Sequence, residues 1–500
     1  MTRPLRRIVL VGLGPHARRI YYPMLERASE RYDIELSLVV ELSDQRRVVE
    51  DYLAGRSLQP KAVVYLPDGN RDGAGLHPDF LDAVESAGAP NLWGLLIACE
   101  PRARKMYTEW ALERGLHTLL DKPVTAFDLR AASPESALGL VDDFYDLRDA
   151  ARRSGANCLV QTQRRAHLGY QTVRDYLRDF LHTFGVPITY VDVYHADGMW
   201  NMPEEFFGRE NHPYKYGYGK IMHSGYHLID TVTWLTSLND ELPPTAPDRL
   251  EICTRRQRPY DFLSQVGRRH YETFFGAGDS VAPYFSPESM AELREFGETD
   301  VFMLGQFRRG DAVMTTVSLN LLQTSFSRRS WFQLPADTYR GNGRVRHERL
   351  TVQVGHLLNV QLHTYQSTHI ASEARNRPPL PGDFDHIDVH FYRNSALVGG
   401  APFERFDVTD DIARKGNRDR DYLGQFESAR EELLTDFLAE DDRRAALAGH
   451  ELPIKIVASA YYAMRSASRG RPVTPEIDLA AGRSGWLLND PLREESGRGR

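Results

Sequence analysis

His223 and His227 stand four residues apart in the stretch 215–235, KYGYGKIMHSGYHLIDTVTWL. On a helix that spacing puts both imidazoles on one face, one turn apart, with Asp230 three residues further on nearly the same face. An imidazole titrates close to neutral pH, so a pair of them suits proton transfer. Ile221, Leu228, Ile229, Val232 and Leu235 recur at three- and four-residue steps and predict such a helix, entered through Gly217-Tyr218-Gly219. A lone histidine there would ordinarily be a satisfied core or surface residue; the pairing turns the reading towards chemistry. A metal centre built on His223-x-x-x-His227 lacks the glutamate of H-E-x-x-H and an obvious third ligand, so no metal is assigned.

A second pattern lies near the start. An apolar strand over 7–11 runs into Gly12-Leu13-Gly14-Pro15-His16-Ala17, a G-x-G-x-x-A loop followed by a helix over 18–27. Gly12 would allow the tight turn, Gly14 the approach of a pyrophosphate and Ala17 close helix–strand packing. Pro15 and His16 complete the cofactor-binding loop. The next strand, 34–40, ends in Glu41, which can accept from a ribose 2′-hydroxyl and so favours NAD. Arg46 and Arg47 could serve a 2′-phosphate, leaving NADP possible, although a solvated helix face explains them more simply. Strands over 62–66, 93–98 and 117–120 alternate with helices over 78–87 and 102–114, the signature of a parallel sheet covered by helices. Glu100, just beyond the strand 93–98, is counted with the cofactor-binding residues. The last strand ends in Asp121-Lys122-Pro123. Ligands of such sheets sit at the carboxyl ends of strands, so Lys122 would face the cofactor crevice.

Together these segments resemble the Gfo/Idh/MocA oxidoreductases. The glycine loop looks like the family's dinucleotide loop, and Asp121-Lys122-Pro123 is similar to its E-K-P signature with Asp for Glu. The stretch from Gly219 to Asp230 resembles its G-G-x-x-x-D-x-G-x-H-x-x-D helix, and 160–165 its inter-domain strand. The likeness covers about residues 5–235. It implies a Rossmann domain followed by an α/β domain with a large, open, mostly antiparallel sheet, and oxidation of a secondary alcohol of a sugar or cyclitol, or the reverse. Carried over, Lys122 takes the motif lysine's place and His227 the motif histidine's. His223 stands where many members have aspartate, and the histidine commonly found after Pro101 is missing. On this reading His227 is the general base, Lys122 polarises the reacting oxygen, and His223 relays a proton or binds a neighbouring hydroxyl. Arg164, His195, Tyr218 and Tyr226 are the expected substrate contacts, Tyr218 being also a spare acid.

Domains are expected at 1–165 and 166–485, with an insertion around 243–300 and a tail over 486–500. In the insertion few elements stand out, and a lid or oligomer contact is the usual use of such a segment. Strands are expected over 189–194, 301–307, 312–319, 350–354, 357–365 and 387–392, a turn at 341–343 and helices over 142–154, 421–439 and 453–466. Net charge is −7 with both signs interspersed, which argues against nucleic acid as partner. No uncharged apolar run is long enough to span a bilayer, and three scattered cysteines fit a reducing compartment, so a cytoplasmic protein is expected. A homo-oligomer, dimer or tetramer, is expected from the open sheet. Two other functions stay open. One is a tightly held NAD that oxidises transiently, giving epimerisation, elimination or glycoside cleavage. The other is a non-catalytic, dinucleotide-binding regulator or scaffold.

Overall fold

The computed structural model of the chain describes residues 4–73, 75–88, 91–130, 133–332, 343–367, 386–408, 424–439 and 447–489. Contacts divide it into two units. The first combines Met1–Phe127, Gly139–Ala166 and Phe426–Ile454; the second combines Asp128–Leu138, His167–Gln425 and Lys455–Arg500. The division expected at 165/166 is contiguous, whereas the one found is not.

The first unit runs β1 (Arg6–Val11), α1 (Pro15–Arg19), α2 (Tyr21–Ala28), β2 (Ile34–Leu42), α3 (Arg46–Leu53), β3 (Ala62–Leu66), α4 (Pro78–Ser86), β4 (Gly94–Ile97), α5 (Pro101–Glu113), β5 (His117–Leu120), α6 (Gly139–Ser154) and β6 (Cys158–Val160). The six strands pair in parallel in the order β3-β2-β1-β4-β5-β6, the doubly wound arrangement of dinucleotide-binding domains. β4 is buried throughout, as continuous apolar runs are when helices cover both faces of a sheet. The helix expected over 18–27 begins earlier and in two pieces, because Pro15 supplies a ready-made first helical residue and the chain breaks at Ile20. On α3, Arg46 lies 4.0 Å over the Tyr65 ring and near Glu50, while exposed Arg47 faces Asp51. That is a solvated helix face.

The second unit contains α7 (Leu168–Phe184), β7 (Tyr190–Ala196), α8 (Pro203–Gly208), a π-helical turn (Ile221–Gly225), α9 (Tyr226–Thr236), β8 (Arg249–Gln257), α10 (Pro259–Gln265), α11 (Arg268–Phe275), α12 (Gly278–Val281), α13 (Pro287–Glu292), β9 (Asp300–Arg309), β10 (Ala312–Leu322), β11 (Val345–Val354), β12 (Leu358–Ser367), β13 (His386–Arg393), α14 (Ser395–Val398) and β14 (Phe403–Asp407). Then come α15 (Gly424–Ala439), which from Phe426 onward packs with the first unit, α16 (Glu451–Ser468) and β15 (Glu476–Asp478). Nine strands form one sheet in the order β14-β13-β12-β11-β7-β10-β9-β8-β15. Every pairing is antiparallel except β7 with β10. Val317, Leu319 and Leu321 are buried while Thr316, Ser318 and Asn320 between them are half-buried, the alternation of a sheet covered on one face.

The region 243–300 departs from expectation. It supplies β8, a full strand of the sheet, and then four short helices, α10 to α13. Phe262, Leu263, Tyr271, Val281 and Phe296 pack there with Met202, Phe206 and Tyr214 in one apolar cluster. Residues 341–342 of the expected turn, 421–423 of the expected helix and the charged tail over 494–500 lie outside the described residues. Among the described residues no helix is long and apolar enough to cross a membrane. The three cysteines are unpaired thiols.

Candidate active site

In the first unit the glycine loop is built by two glycines with opposite surroundings. Gly12 has φ +90, and a Cβ there would lie 2.7 Å from the backbone of Cys99. Its N–H donates to Val40 at 2.9 Å, tying the loop to β2. Gly14, which precedes α1, would carry a Cβ with no heavy atom within 4 Å. The loop is closed on the protein side at residue 12 and open at residue 14. Ala17 is buried.

Glu41 ends β2 against this loop. Its carboxylate accepts from the Leu13 N–H at 2.7 Å and the Leu42 N–H at 2.9 Å. Burial pushes its pKa up, opposed by those two bonds and by Arg18. An ionised carboxylate holding two donors still has lone pairs to offer a vicinal diol, and it repels a 2′-phosphate.

The Asp121-Lys122-Pro123 turn is held by Arg104, a residue the sequence did not single out. Its guanidinium donates to the carbonyls of Cys99 (3.0 Å), Asp121 (2.8 Å) and Pro123 (2.7 Å) and meets the Asp121 carboxylate at 3.3 Å. Tyr21 also donates to Asp121, at 2.8 Å, and His16 Nε2 stands 4.0 Å from it. Burial pushes the Asp121 carboxyl up, but Lys122 and Arg104 outweigh it and hold the group well below the usual carboxylate range. Burial likewise drives His16 down to about 3, so its imidazole is neutral at physiological pH. Lys122 is half-buried directly after Asp121. Glu100 precedes α5, 3.7 Å from Arg102. Arg164 is buried with its guanidinium 5.1 Å over the Phe426 ring of α15.

In the second unit the histidine helix begins with the π-helical turn Ile221–Gly225, a geometry that recurs at functional sites. The four-residue spacing of His223 and His227 is therefore not that of an uninterrupted α-helix. His223 is buried, its Nε2 3.1 Å from the Pro213 carbonyl and its ring edge-on to His212, Tyr214 and Tyr218. His227 sits in the first turn of α9 and is 6% exposed. Tyr218 and Tyr226 are fully buried.

The turn is pinned at its start by groups that sequence reasoning missed. Glu298 takes the Lys220 N–H on its carbonyl (2.8 Å) and the Ile221 N–H on its carboxylate (2.9 Å), which also accepts from Tyr461 at 2.8 Å. The ammonium of Lys220, wholly buried, reaches His195 Nδ1 at 2.9 Å, the Leu322 carbonyl at 3.0 Å and the Asp197 carboxylate. Asp197 further pairs with Arg344 and accepts from Ser224 at 2.6 Å. His195, expected to touch substrate, is 1% exposed between Lys220 and Glu348, whose carboxylate is 3.8 Å from Nε2. Burial would push the Asp197 carboxyl up; Lys220 and Arg344 prevail and hold it well below its ordinary value. Burial lowers the Lys220 pKa, with Asp197 opposing. In sequence Lys220 carries little signal, because a lysine at a helix start ordinarily reads as solvated. Among the described residues no group of three or more His, Cys, Asp or Glu is placed to hold a metal.

No protein-family model and no curated sequence matches this chain. Solved structures do match. They include aldose–aldose oxidoreductase from Caulobacter crescentus with glycerol, TM-score 0.52 at 12% identity over 95% of this chain and 100% of that one. An oxidoreductase from Agrobacterium radiobacter in complex with NAD+, L-tartaric acid and magnesium gives 0.53 at 12% over 95% and 98%. The WlbA dehydrogenase from Bordetella pertussis with NADH and UDP-GlcNAcA gives 0.51 at 13% over 96% and 99%. At these identities the likeness establishes the fold. The two-domain architecture expected from the resemblance to the Gfo/Idh/MocA oxidoreductases is the architecture found.

Proposed function

We propose that this protein is an NAD-dependent oxidoreductase acting on a secondary alcohol, or the corresponding ketone, of a sugar, cyclitol or sugar-derived substrate. One observation carries the cofactor assignment. The loop after β1 is sealed at Gly12 by backbone and open at Gly14, with the Glu41 carboxylate beside it. That is a cradle for a pyrophosphate with an acceptor for a ribose hydroxyl, and the residues present fit a dinucleotide. Gly12, Gly14, Pro15, His16 and Ala17 would hold the phosphates, Glu41 the adenosine ribose, and Glu100 and Lys122 the strand ends nearer the nicotinamide. NADP is disfavoured by Glu41. When bound, the cofactor accepts or returns the hydride at nicotinamide C4.

The chain's own residues supply the rest. His227 removes the carbinol proton as general base, and Lys122, its flexible stem rooted in a turn fixed by Arg104, donates to the carbinol oxygen as alkoxide character grows. His223, with one ring nitrogen near the Pro213 carbonyl, binds a neighbouring hydroxyl or relays the proton. Arg164, His195, Tyr218 and Tyr226 were expected at the substrate. Their burial favours supporting roles, for His195 through Lys220. Two solved structures of this fold hold a nicotinamide cofactor together with a polyhydroxylated or acidic ligand, which supports the substrate class. Replacing His227 with alanine should lower kcat by roughly 10²–10⁴-fold while NAD+ binding persists. Unchanged turnover removes His227 from the mechanism.

A further inference from the structure

Of the ten residues from Ile221 to Asp230, nine are buried and one, Ser224, is half-buried. Ser224 is thus the one residue of that span with appreciable exposure. It lies in the π-helical turn that carries His223 and leads into the first turn of α9, where His227 sits.

The direction of its hydrogen bond is fixed. Ser224 Oγ is 2.6 Å from Asp197 Oδ2, and the Asp197 carboxylate already receives Lys220 and Arg344. A carboxylate so paired is ionised and can only accept, so the single Ser224 proton is spent on it. What the Ser224 oxygen still has to offer is its lone pairs, polarised by the bond it donates. Such an oxygen favours a group with a proton to give. Ketones, carboxylates and phosphates have none.

We propose that Ser224 accepts a hydrogen bond from a substrate hydroxyl next to the reacting carbinol, and so selects a vicinal polyol over deoxy, keto or acidic groups at that position. The proposal rests on the oxidoreductase reading above and adds a residue and a stereochemical requirement to it. Lys220, Arg344 and Asp197 act behind Ser224 as positioning residues: they keep its hydroxyl turned inward.

The test uses the full-length protein with NAD+ and a panel of hexoses and inositols, each beside its monodeoxy counterparts. The wild type should prefer the hydroxylated compound at one ring position by about tenfold in kcat/KM, the worth of one good hydrogen bond. Ser224→Ala should bring the ratio at that position to near one and leave the other positions unchanged, while Ser224→Thr, which keeps the hydroxyl, restores it. A merely structural role would lower all substrates together. Ratios that stay as in the wild type in a folded, active Ser224→Ala overturn the proposal alone. If no polyol is oxidised and calorimetry detects no binding of any, both the proposal and the reading beneath it fall.

Discussion

The two loop glycines make opposite predictions. At Gly12 an added methyl meets the Cys99 and Ala98 backbone at 2.7–2.9 Å, and the residue has φ +90. The positive φ costs an L-residue about 1–2 kcal/mol, and overpacking against main chain that cannot step aside adds roughly 1–3 kcal/mol. Gly12→Ala should therefore destabilise the first unit by about 2–5 kcal/mol, visible as a lower melting temperature without any ligand. Gly14 has φ −66 and ψ −179, an extended conformation open to every residue, and its Cβ would touch nothing. Gly14→Ala should leave the apo protein as stable, or more stable by about 0.4–1 kcal/mol through the unfolded chain. Yet if the pyrophosphate rests on that glycine, the methyl occupies the space the phosphates need. A misfit of about 1–3 kcal/mol weakens NAD+ binding roughly 5- to 150-fold. Calorimetric titration of NAD+ into both variants, with thermal melts of the apo proteins, separates the two effects. Wild-type affinity in a stable Gly14→Ala would refute the cradle.

Other consequences are local. Arg104→Met leaves the buried Asp121 carboxylate and several carbonyls without their donor, and should cost about 3–5 kcal/mol in urea unfolding. His16 is neutral in the fold down to about 3 but protonates near 6.5 when unfolded, so stability drains away as pH falls below 6.5. Its ring is about a fifth exposed, which tempers the loss to about 1–2 kcal/mol by pH 5; His16→Asn should remove that share of the acid sensitivity in melts at pH 7 and 5. Gly305 lines a small apolar cavity under α9, and a Cβ there would sit 3.4 Å from Leu250 and 3.7 Å from Val317. Gly305→Ala should raise the melting temperature, by about 0.4–1 kcal/mol in stability.

The first sheet was legible because each of its strands is a short apolar run closed by turn residues, and the glycine loop sits between a strand and a helix as the motif requires. β8 was not. Arg249–Gln257, RLEICTRRQ, starts as apolar residues alternating with charged ones and closes on Arg255-Arg256-Gln257, which reads as a basic surface patch until β9 and β15 flank it. Lys220 escaped for a related reason. A lysine at a helix start normally reads as solvated; only the fold shows it enclosed by Asp197 and His195 from earlier in the chain and by Leu322 from 102 residues later. The return of α15 to the first unit, where Arg430 accepts from Gln161 across 269 residues, is equally invisible to local pattern. Period and motif report neighbours in sequence, whereas buried ion pairs and late-returning helices are set by distant ones.

With NAD+ held in the first unit and His227 taking the carbinol proton, a polyol should pass its hydride to nicotinamide C4. A single-turnover experiment tests that transfer directly: protein loaded with NAD+ is mixed with the hexose and inositol panel, and the near-ultraviolet absorbance of reduced nicotinamide is followed whether or not the cofactor leaves. Reduction of bound NAD+ by at least one polyol is expected, slowed roughly 10²–10⁴-fold in His227→Ala. Bound NAD+ that no polyol reduces, or reduction at the same rate in His227→Ala, would contradict it.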